Sequence, residues 1–444
     1  MIGPVTFRPY LRVILGLLLL LWFLRSKTVQ MVKHGKAQNV CRTIQKERKA
    51  IVMSAKVMLL STVVLCLSIL ILRYAEVEWL EDFANSSIRK LIYLVRYDEQ
   101  PVLANKSELN LELVDMTKAK HGDRKMEVAK LNKALSEVGF AYIINIPGYD
   151  PDKLLYNTKW FFSLPHKTKM EIAKNSFQPG NKNSFRGYFP IIDGGHSFKE
   201  ALEFGAFFHS KHEVRKVSGT DRPLMRDVVQ EPNVWPVSDS KESDEEFRNC
   251  MTRMYDLYSS LGDEVSKMMA EGLGLEKNYF DNLFKPGKPL ATLRLLHYPT
   301  RINDTDLPEE AKDGDIRITT GEHFDTTFLT ILATFENKGL QVKLTDDGPW
   351  LDVPVIKDGL IINTGALLSK MVDYKLRATN HRVIDLGADR YSVPFFYEPA
   401  FDADISKSIS GKIINTAFPK YGPWMTNRTS MFAEYATTDF GIAD

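Results

Sequence analysis

The sequence predicts a mainly β globular region with flanking helices, preceded by a membrane helix or helices. Two runs carry the β prediction: residues 327–334 alternate with many β-branched side chains, and residues 390–397 form a second strand-like run. A long segment that starts at Ser243 has apolar residues at helical spacing, which predicts an amphipathic helix. The 444-residue chain is 44% hydrophobic and 26% charged, so it can bury a large core.

Two apolar segments lie before the globular region. Residues 13–24 are short for a membrane span and have the length of a signal-peptide core. Residues 51–72 are interrupted only by Lys56, which favours a transmembrane signal-anchor, with a buried core helix as the alternative. The basic run at residues 25–49 is expected to stay in the cytosol. A single-pass or two-pass membrane protein is therefore predicted, with the globular part in the lumen or outside the cell and a cytosolic placement as the alternative.

Charge and cysteine content exclude several classes of function. Residues 1–56 hold eleven Lys and Arg against one acid, a net charge of +10, which leaves −8 for the rest of a chain whose total is +2. The globular part therefore offers no basic face for nucleic acid. Cys41, Cys66 and Cys250 are too few and too widely spaced for a disulfide framework or a zinc site there.

The predicted elements divide the chain into consecutive regions. Residues 1–50 form a basic N-terminal region with the short apolar segment, and residues 73–108 form a stalk or linker after the anchor. Residues 109–242 open with a strand, a helix that Gly139 ends, and a buried strand. Residues 243–430 begin with the amphipathic helix, for which Ser243 is the predicted N-cap. Residues 431–444 are a C-terminal tail.

The strongest candidate site is a set of three metal ligands. His323 and Asp325 are two positions apart, so they fall on the same side of an extended chain, and His381 follows after 55 intervening residues. Two imidazoles and one carboxylate suit non-haem Fe(II) and leave about three coordination positions open. Arg390 and Ser392 add a fork of donors and a hydroxyl, which suit the carboxylate of an acidic co-substrate.

The chain contains a second His-x-Asp triplet, His121-Gly-Asp123. This triplet lies in the charged run of residues 118–125, outside any apolar strand, and we interpret it as a solvated loop. The triplet at His323 differs because a predicted half-buried strand follows it.

The sequence resembles the iron(II)- and 2-oxoglutarate-dependent dioxygenase superfamily, in the branch similar to isopenicillin N synthase. The resemblance covers about residues 109 to 430 and rests on the motifs Leu293-Arg-Leu-Leu-His-Tyr298-Pro299, His323-Phe-Asp325, Gly339-Leu-Gln-Val342, Asn363-Thr-Gly365, His381-Arg-Val383 and Arg390-Tyr-Ser392. It implies a double-stranded β-helix, or jelly roll, in residues 243–430 and the family's N-terminal domain in residues 109–242. It also implies that Tyr298, Arg390 and Ser392 hold the co-substrate, and that residues 186–188 and 199–204 flank the substrate mouth. Leu296 departs from the pattern, because plant members usually carry Asn there.

The resemblance implies a membrane-anchored oxygenase that uses Fe(II), 2-oxoglutarate and O2, with ascorbate as an optional reductant. It would hydroxylate or desaturate a small organic substrate and release succinate and CO2. Two alternatives stay open at this point. One is a 2-oxoglutarate-independent oxidase of the isopenicillin N synthase type, since the nine-residue step from His381 to Arg390 resembles that enzyme. The other is a non-catalytic membrane-bound binding protein on the same fold. No sequence feature points to a protein partner.

Overall fold

The computed structural model describes residues 109–192, 197–206, 214–285, 288–300, 311–435 and 437–443. The apolar segments at residues 13–24 and 51–72 and the stalk at residues 73–108 lie outside the described residues. Among the helices of the described part, none combines the length and the apolar composition that crossing a bilayer requires.

The described residues contain thirteen strands in two sheets. In chain order the strands are β1 (Leu113–Asp115), β2 (Phe140–Ile144), β3 (Gly187–Phe189), β4 (Glu200–Phe204), β5 (Thr292–Tyr298), β6 (Lys312–Asp313), β7 (Ile316–His323), β8 (Leu329–Ala333), β9 (Leu340–Lys343), β10 (Trp350–Asp352), β11 (Leu360–Thr364), β12 (Asn380–Ile384) and β13 (Arg390–Tyr397). The large sheet has the order β1-β2-β11-β8-β13-β5-β4-β3, and the small sheet has the order β10-β9-β12-β7-β6. The mainly β prediction is confirmed, and the two sheets are consistent with the predicted jelly roll.

Helices flank the sheets, as the sequence predicts. They are α1 (Met116–His121), α2 (Arg124–Glu137), α3 (Pro151–Ser163), α4 (His166–Met170), α5 (Met225–Val229), α6 (Lys241–Gly272), α7 (Asp281–Phe284), α8 (Ala366–Met371) and α9 (Tyr421–Thr429), followed by a short 3-10 turn at Ala433–Tyr435. Gly139 ends the α2 region with φ +79, a backbone conformation that side chains with a Cβ rarely adopt.

The two faces of the large sheet pack against different partners. Neighbouring residues of β11 face opposite sides of the sheet. Ile362 belongs to the main hydrophobic cluster, which includes the buried face of α6, and Ile361 belongs to a second cluster. That second cluster joins Phe140 of the large sheet to Val342 and Val383 of the small sheet. Since side chains alternate across a strand, the large sheet is buried on both faces between a helical layer and the small sheet.

Helix α6 supports the large sheet from behind, as predicted. Its predicted apolar face is buried throughout, and Tyr258 stacks on Phe395 of β13 with ring centroids 5.5 Å apart. The predicted N-cap is wrong, because α6 begins at Lys241 and Ser240 caps it by accepting a hydrogen bond from the Ser243 backbone N–H. The Asp244 carboxylate also accepts the Ser238 backbone N–H, so the entry to the helix is fixed before Ser243.

Strand β7 carries extra residues opposite β12. His381 pairs with His323, Val383 with Thr320, and Ile384 with Ile318. Three steps along β12 thus correspond to five along β7, which places two additional residues between Ile318 and His323. The irregularity lies directly beside the two histidines.

Candidate metal centre

The two predicted histidine ligands are cross-strand neighbours. His323 is the last residue of β7 and pairs with His381 of β12, and their ring centroids are 4.2 Å apart. Asp325 lies two residues beyond the end of β7. Its Oδ1 is 3.9 Å from His323 Nε2 and 3.8 Å from His381 Nε2. The three ligand atoms lie within 4.8 Å of one another, close enough to share one metal ion.

Backbone carbonyls fix the orientation of both imidazole rings. His323 Nδ1 donates to the Gly321 carbonyl at 2.8 Å, and His381 Nδ1 donates to the Thr379 carbonyl at 3.1 Å. A carbonyl oxygen only accepts, so the proton of each neutral ring is on Nδ1. The lone pair of each Nε2 is therefore directed toward Asp325, as metal-binding histidines require.

A pair of polar side chains from the large sheet holds the Asp325 carboxylate. Its Oδ2 accepts hydrogen bonds from Thr330 Oγ1 at 2.5 Å and Asn363 Nδ2 at 2.7 Å. Thr330 and Asn363 are themselves cross-strand partners of β8 and β11. Because both donors contact the same oxygen, Oδ1 stays available for a metal ion.

Gly365 fixes the backbone next to this carboxylate. The Ala366 backbone N–H donates to the Asp325 carbonyl at 2.8 Å, which joins the start of α8 to the ligand loop. A Cβ on Gly365 would lie 1.8 Å from the Thr327 carbonyl oxygen, so a larger residue cannot occupy this position without moving the backbone. The Asn363-Thr-Gly365 motif therefore supports the site through both a side chain and a close backbone approach.

The charge states of the ligands suit a divalent metal. Burial lowers the pKa of His323 to about 4, and the neighbouring His381 acts in the same direction. Burial alone would raise the pKa of Asp325, but the two imidazoles and the donors from Asn363 and Thr330 hold it below its ordinary value. Near neutral pH the centre therefore offers a neutral His323 and an ionised carboxylate, the forms that bind metal.

Arg390, Ser392 and Tyr298 form a second group on the large sheet. Arg390 of β13 pairs with Tyr298 of β5, and its guanidinium carbon lies 5.0 Å from the centre of the Tyr298 ring. Arg390 Nη1 donates to Ser392 Oγ and Nε donates to the Lys338 carbonyl, each at 3.2 Å. No carboxylate of the described residues forms an ion pair with this buried guanidinium, and burial lowers the pKa of Arg390. A buried cation of this kind fits an anionic ligand.

The structure brings the six predicted site residues into two groups, the metal ligands and the Arg390 group. Sequence reasoning assigned no role to Thr330 or Asn363, and it placed Lys199 only within a segment that flanks the substrate mouth. The first two had a signal in the sequence, because Thr330 is the polar residue of an apolar strand and Asn363 directly follows three apolar residues of its strand. The position of Lys199 depends on strand register, which the sequence does not state.

The second His-x-Asp triplet does not form a comparable centre. His121 ends α1, and Asp123 caps α2 by accepting the Met126 backbone N–H at 3.0 Å. The predicted loop is therefore a junction between two helices, and both side chains are exposed as expected.

Comparison with known proteins places the chain in a family. A family model described as the 2OG-Fe(II) oxygenase superfamily matches residues 291–399, and a model of the non-haem dioxygenase N-terminal region in morphine synthesis matches residues 111–238. A 2-oxoglutarate-Fe(II) type oxidoreductase of Emericella nidulans is 32% identical over 272 residues, covering 60% of this chain and 71% of that protein. The chain belongs to the 2-oxoglutarate–Fe(II) oxygenase superfamily.

Two further similarities define the branch and the fold of this oxygenase. Isopenicillin N synthase of Streptomyces griseus is 27% identical over 62% of this chain and 79% of its own length. The crystal structure of a full-length Neurospora crassa protein in complex with alpha-KG has a TM-score of 0.58 and 24% identity, covering 74% of this chain and 98% of that chain. The second match shows that the folds agree. The predicted superfamily and its isopenicillin N synthase-like branch are confirmed.

The chain is an Fe(II)/2-oxoglutarate-type oxygenase, and its family uses Fe(II), 2-oxoglutarate and O2. The residues present fit these groups. Two Nε2 atoms and one carboxylate oxygen form the donor set that suits Fe(II), and the buried Arg390 guanidinium suits the distal carboxylate of 2-oxoglutarate. The enzyme prediction is confirmed, which removes the non-catalytic binding protein as an interpretation of this chain.

Proposed function

We propose that this oxygenase hydroxylates or desaturates a small organic substrate at an iron held by His323, Asp325 and His381. The observation that carries the proposal is the convergence of these three ligand atoms within 4.8 Å. When bound, Fe(II) with 2-oxoglutarate activates O2, and the oxidation of 2-oxoglutarate yields succinate and CO2. The protein supplies the geometry and the choice of substrate.

Each predicted residue has a distinct part in this proposal. The carbonyls of Gly321 and Thr379 hold the two imidazoles with Nε2 toward the metal. Asp325 contributes one oxygen to the metal while Thr330 and Asn363 hold the other. Arg390 pairs with the distal carboxylate of 2-oxoglutarate, and Ser392 and Tyr298 complete that subsite.

The proposal is tested with the full-length chain supplied with Fe(II) and 2-oxoglutarate. We expect succinate release that requires both, and a metabolite screen read by succinate identifies the substrate. The variant Arg390→Met should raise the 2-oxoglutarate concentration for half-maximal turnover by about 30-fold or more, since losing one partner of a buried charge pair costs roughly 2 kcal/mol or more. Arg222→Met is the matched control, because Arg222 pairs with Asp439 at the surface. Unchanged 2-oxoglutarate dependence in Arg390→Met contradicts the assignment.

A 2-oxoglutarate-independent oxidase is the second candidate function. It is favoured by the similarity to isopenicillin N synthase and by the nine-residue step from His381 to Arg390, which resembles that enzyme. In this case Arg390 would bind a carboxylate of the substrate itself. Oxygen uptake measured with and without 2-oxoglutarate separates the two, because only the first candidate requires it.

The membrane anchor is a separate proposal that rests on the sequence. Residues 51–72 would span the membrane, with the basic run before them in the cytosol and the oxygenase in the lumen or outside the cell. The full-length chain should resist extraction by alkaline carbonate, whereas deletion of residues 51–72 should release it. Protease protection of the oxygenase in sealed microsomes supports the lumenal side, and its digestion from outside supports the cytosolic alternative.

A further inference from the structure

Lys199 belongs to a row of residues that crosses three neighbouring strands. Glu200, the first residue of β4, pairs with His297 of β5, and the two strands are antiparallel. The preceding residue, Lys199, therefore falls opposite Tyr298. Tyr298 in turn pairs with Arg390 of β13. The row Lys199, Tyr298, Arg390 runs along one end of the large sheet.

The row faces the same side of the sheet as the Arg390 group. The neighbouring row faces the other way, since Glu200 Oε1 contacts His297 Nδ1 at 2.8 Å and His297 stacks on Tyr391 with centroids 4.6 Å apart. Side chains alternate along a strand, so Lys199 points away from Glu200 and toward the side of Tyr298 and Arg390.

The segment that contains Lys199 is joined to the strand that carries a metal ligand. The backbone N–H of the adjacent Phe198 donates to the Thr319 carbonyl of β7 at 3.1 Å, which joins this segment to the strand that ends in His323. The Lys199 charge contributes to the pKa of two site residues. Burial would raise the pKa of Tyr298, but the charges of Lys199 and Arg390 lower it. After burial and His381, Lys199 also helps to lower the pKa of His323.

The Lys199 ammonium differs from the other lysines of this region in having no acidic partner. Lys169 pairs with Glu200 at 2.8 Å and Lys174 pairs with Glu203 at 2.5 Å, both on buried side chains. Within the described part of the chain, the half-buried Lys199 forms no ion pair. An unpaired, half-buried cation in the same row as Arg390 is a site for an anion.

The charges of the named side chains, the metal and 2-oxoglutarate can be summed. Among the described residues, the row and the metal ligands contribute two positive side chains, Arg390 and Lys199, and the negative Asp325. Fe(II) adds two positive charges and 2-oxoglutarate adds two negative charges. One positive charge therefore remains after the metal and both carboxylates of 2-oxoglutarate have partners.

We propose that Lys199 binds an anionic group of the primary substrate, so that the substrate class is small organic acids that carry a carboxylate. The carboxylate would sit beside Tyr298, with the rest of the molecule directed toward the metal. This assignment rests on the proposed function, because it takes the metal and Arg390 as the partners of 2-oxoglutarate.

The test uses the full-length chain with Mn(II), which is redox-silent, and 2-oxoglutarate. Thermal unfolding is measured with benzoate, phenylacetate and hexanoate, and with the uncharged amide of each. We expect at least one acid to raise the unfolding temperature more than its amide. Lys199→Met should weaken the apparent affinity for that acid about tenfold or more, the scale of a lost charge-assisted hydrogen bond. Lys199→Arg, which keeps the charge, should recover part of this affinity.

The controls separate this proposal from the proposed function. Lys216→Met removes a surface lysine paired with Asp221 and should leave the acid-dependent shift unchanged. The proposal is overturned if no acid exceeds its amide, if the acid-dependent shift persists in Lys199→Met, or if Lys199→Met weakens 2-oxoglutarate binding tenfold instead. Failure of Mn(II) and 2-oxoglutarate to stabilise the wild-type chain would contradict the proposed function itself.

Discussion

The triplets His121-Gly-Asp123 and His323-Phe-Asp325 have the same spacing and different surroundings. His121 and Asp123 are exposed at a junction of two helices, where the aspartate satisfies a backbone N–H of α2. His323 and Asp325 lie at the end of a strand, and the neighbouring strand places His381 opposite them. The same two residue types thus act as a helix cap in one place and as part of a metal centre in the other.

The comparison of the two triplets shows that a metal centre needs a third ligand, here His381, and hydrogen bonds that hold the ligands in place. The His323 centre has carbonyls that fix each imidazole and two donors that hold one carboxylate oxygen. In the described part of the chain, no third ligand groups with His121 and Asp123. Spacing identifies candidates, and the cross-strand register selects among them.

Removing one histidine from each triplet gives the largest expected contrast. His323→Ala should lose bound iron and reduce succinate formation to background, because two ligands do not hold Fe(II) in the required geometry. His121→Ala should keep both, since His121 contacts no part of the site. Elemental analysis and succinate assays measure the outcome. Retention of stoichiometric iron in His323→Ala would remove the basis of the comparison.

The supporting bonds are tested by Asn363→Ala. This change removes a donor to Asp325 and leaves all three ligands in place, so iron affinity should fall about 10- to 100-fold, as for other outer-shell partners of metal ligands. Competition with a metal chelator measures the affinity. Asn278→Ala is the matched control, because Asn278 is exposed and far in sequence from the site. Equal affinities in the two variants would show that Thr330 alone holds the carboxylate.

The close backbone approach at Gly365 predicts a stability effect. Gly365→Ala places a Cβ against the Thr327 carbonyl, and the free energy of unfolding should fall by about 3 kcal/mol, near the upper end for overpacking. Gly180→Ala is the control, since a Cβ there meets nothing within 4 Å. Chemical denaturation of both variants checks the difference, and equal midpoints would contradict the steric argument.

The smallest expected effect is on the pH dependence of stability and concerns His297. This histidine contacts carboxylates but is not a metal ligand. Burial would lower its pKa, but the Asp389 carboxylate, 3.8 Å from Nε2, and the Glu200 carboxylate, hydrogen-bonded to Nδ1, raise the pKa of His297 above its ordinary value. Its contribution to stability is therefore present below about pH 6.5 and is lost as pH rises through the raised pKa. His297→Gln should destabilise the fold by about 1 kcal/mol more at low pH than at high pH.

The pH series for His297→Gln is compared with His121→Gln, which removes an exposed imidazole. Unfolding free energies are measured from about pH 6 to pH 9, a range around the ordinary histidine value. If the difference in unfolding free energy between wild type and His297→Gln grew with pH, the pKa of His297 would be lowered by folding and not raised. The pKa of His297 is raised and that of His323 is lowered. The reversed result would contradict this difference between the two histidines.

Much of the fold and of the site could be predicted from the sequence because local patterns encode it. The strand at Arg390–Tyr397 and the buried face of α6 follow from alternation and helical spacing, and both are confirmed. The start of α6 was predicted wrongly because Ser240 and Ser243 are both good caps, and the carboxylate of Asp244 favours the earlier one. The domain boundaries and the membrane segments stay predictions.

The parts of the site that the sequence did not reveal all depend on register. Thr330 and Asn363 are 33 positions apart and meet only because β8 and β11 pair at those residues. Lys199 reaches the row of Tyr298 and Arg390 only through the pairing of β4, β5 and β13. A single sequence states which residues prefer strands and leaves open which residue faces which.

Because β7 has two additional residues and not one, the ligand histidine stays on the same surface of the strand. A strand shows its side chains to opposite surfaces in turn, so one inserted residue would invert every position beyond it, whereas a pair of insertions cancels. Deleting a single residue between Ile318 and His323 would rotate the imidazole to the outer surface and leave composition and length almost unchanged. Loop grafts or family alignments that treat this strand as regular would therefore misplace the ligand histidine by two residues.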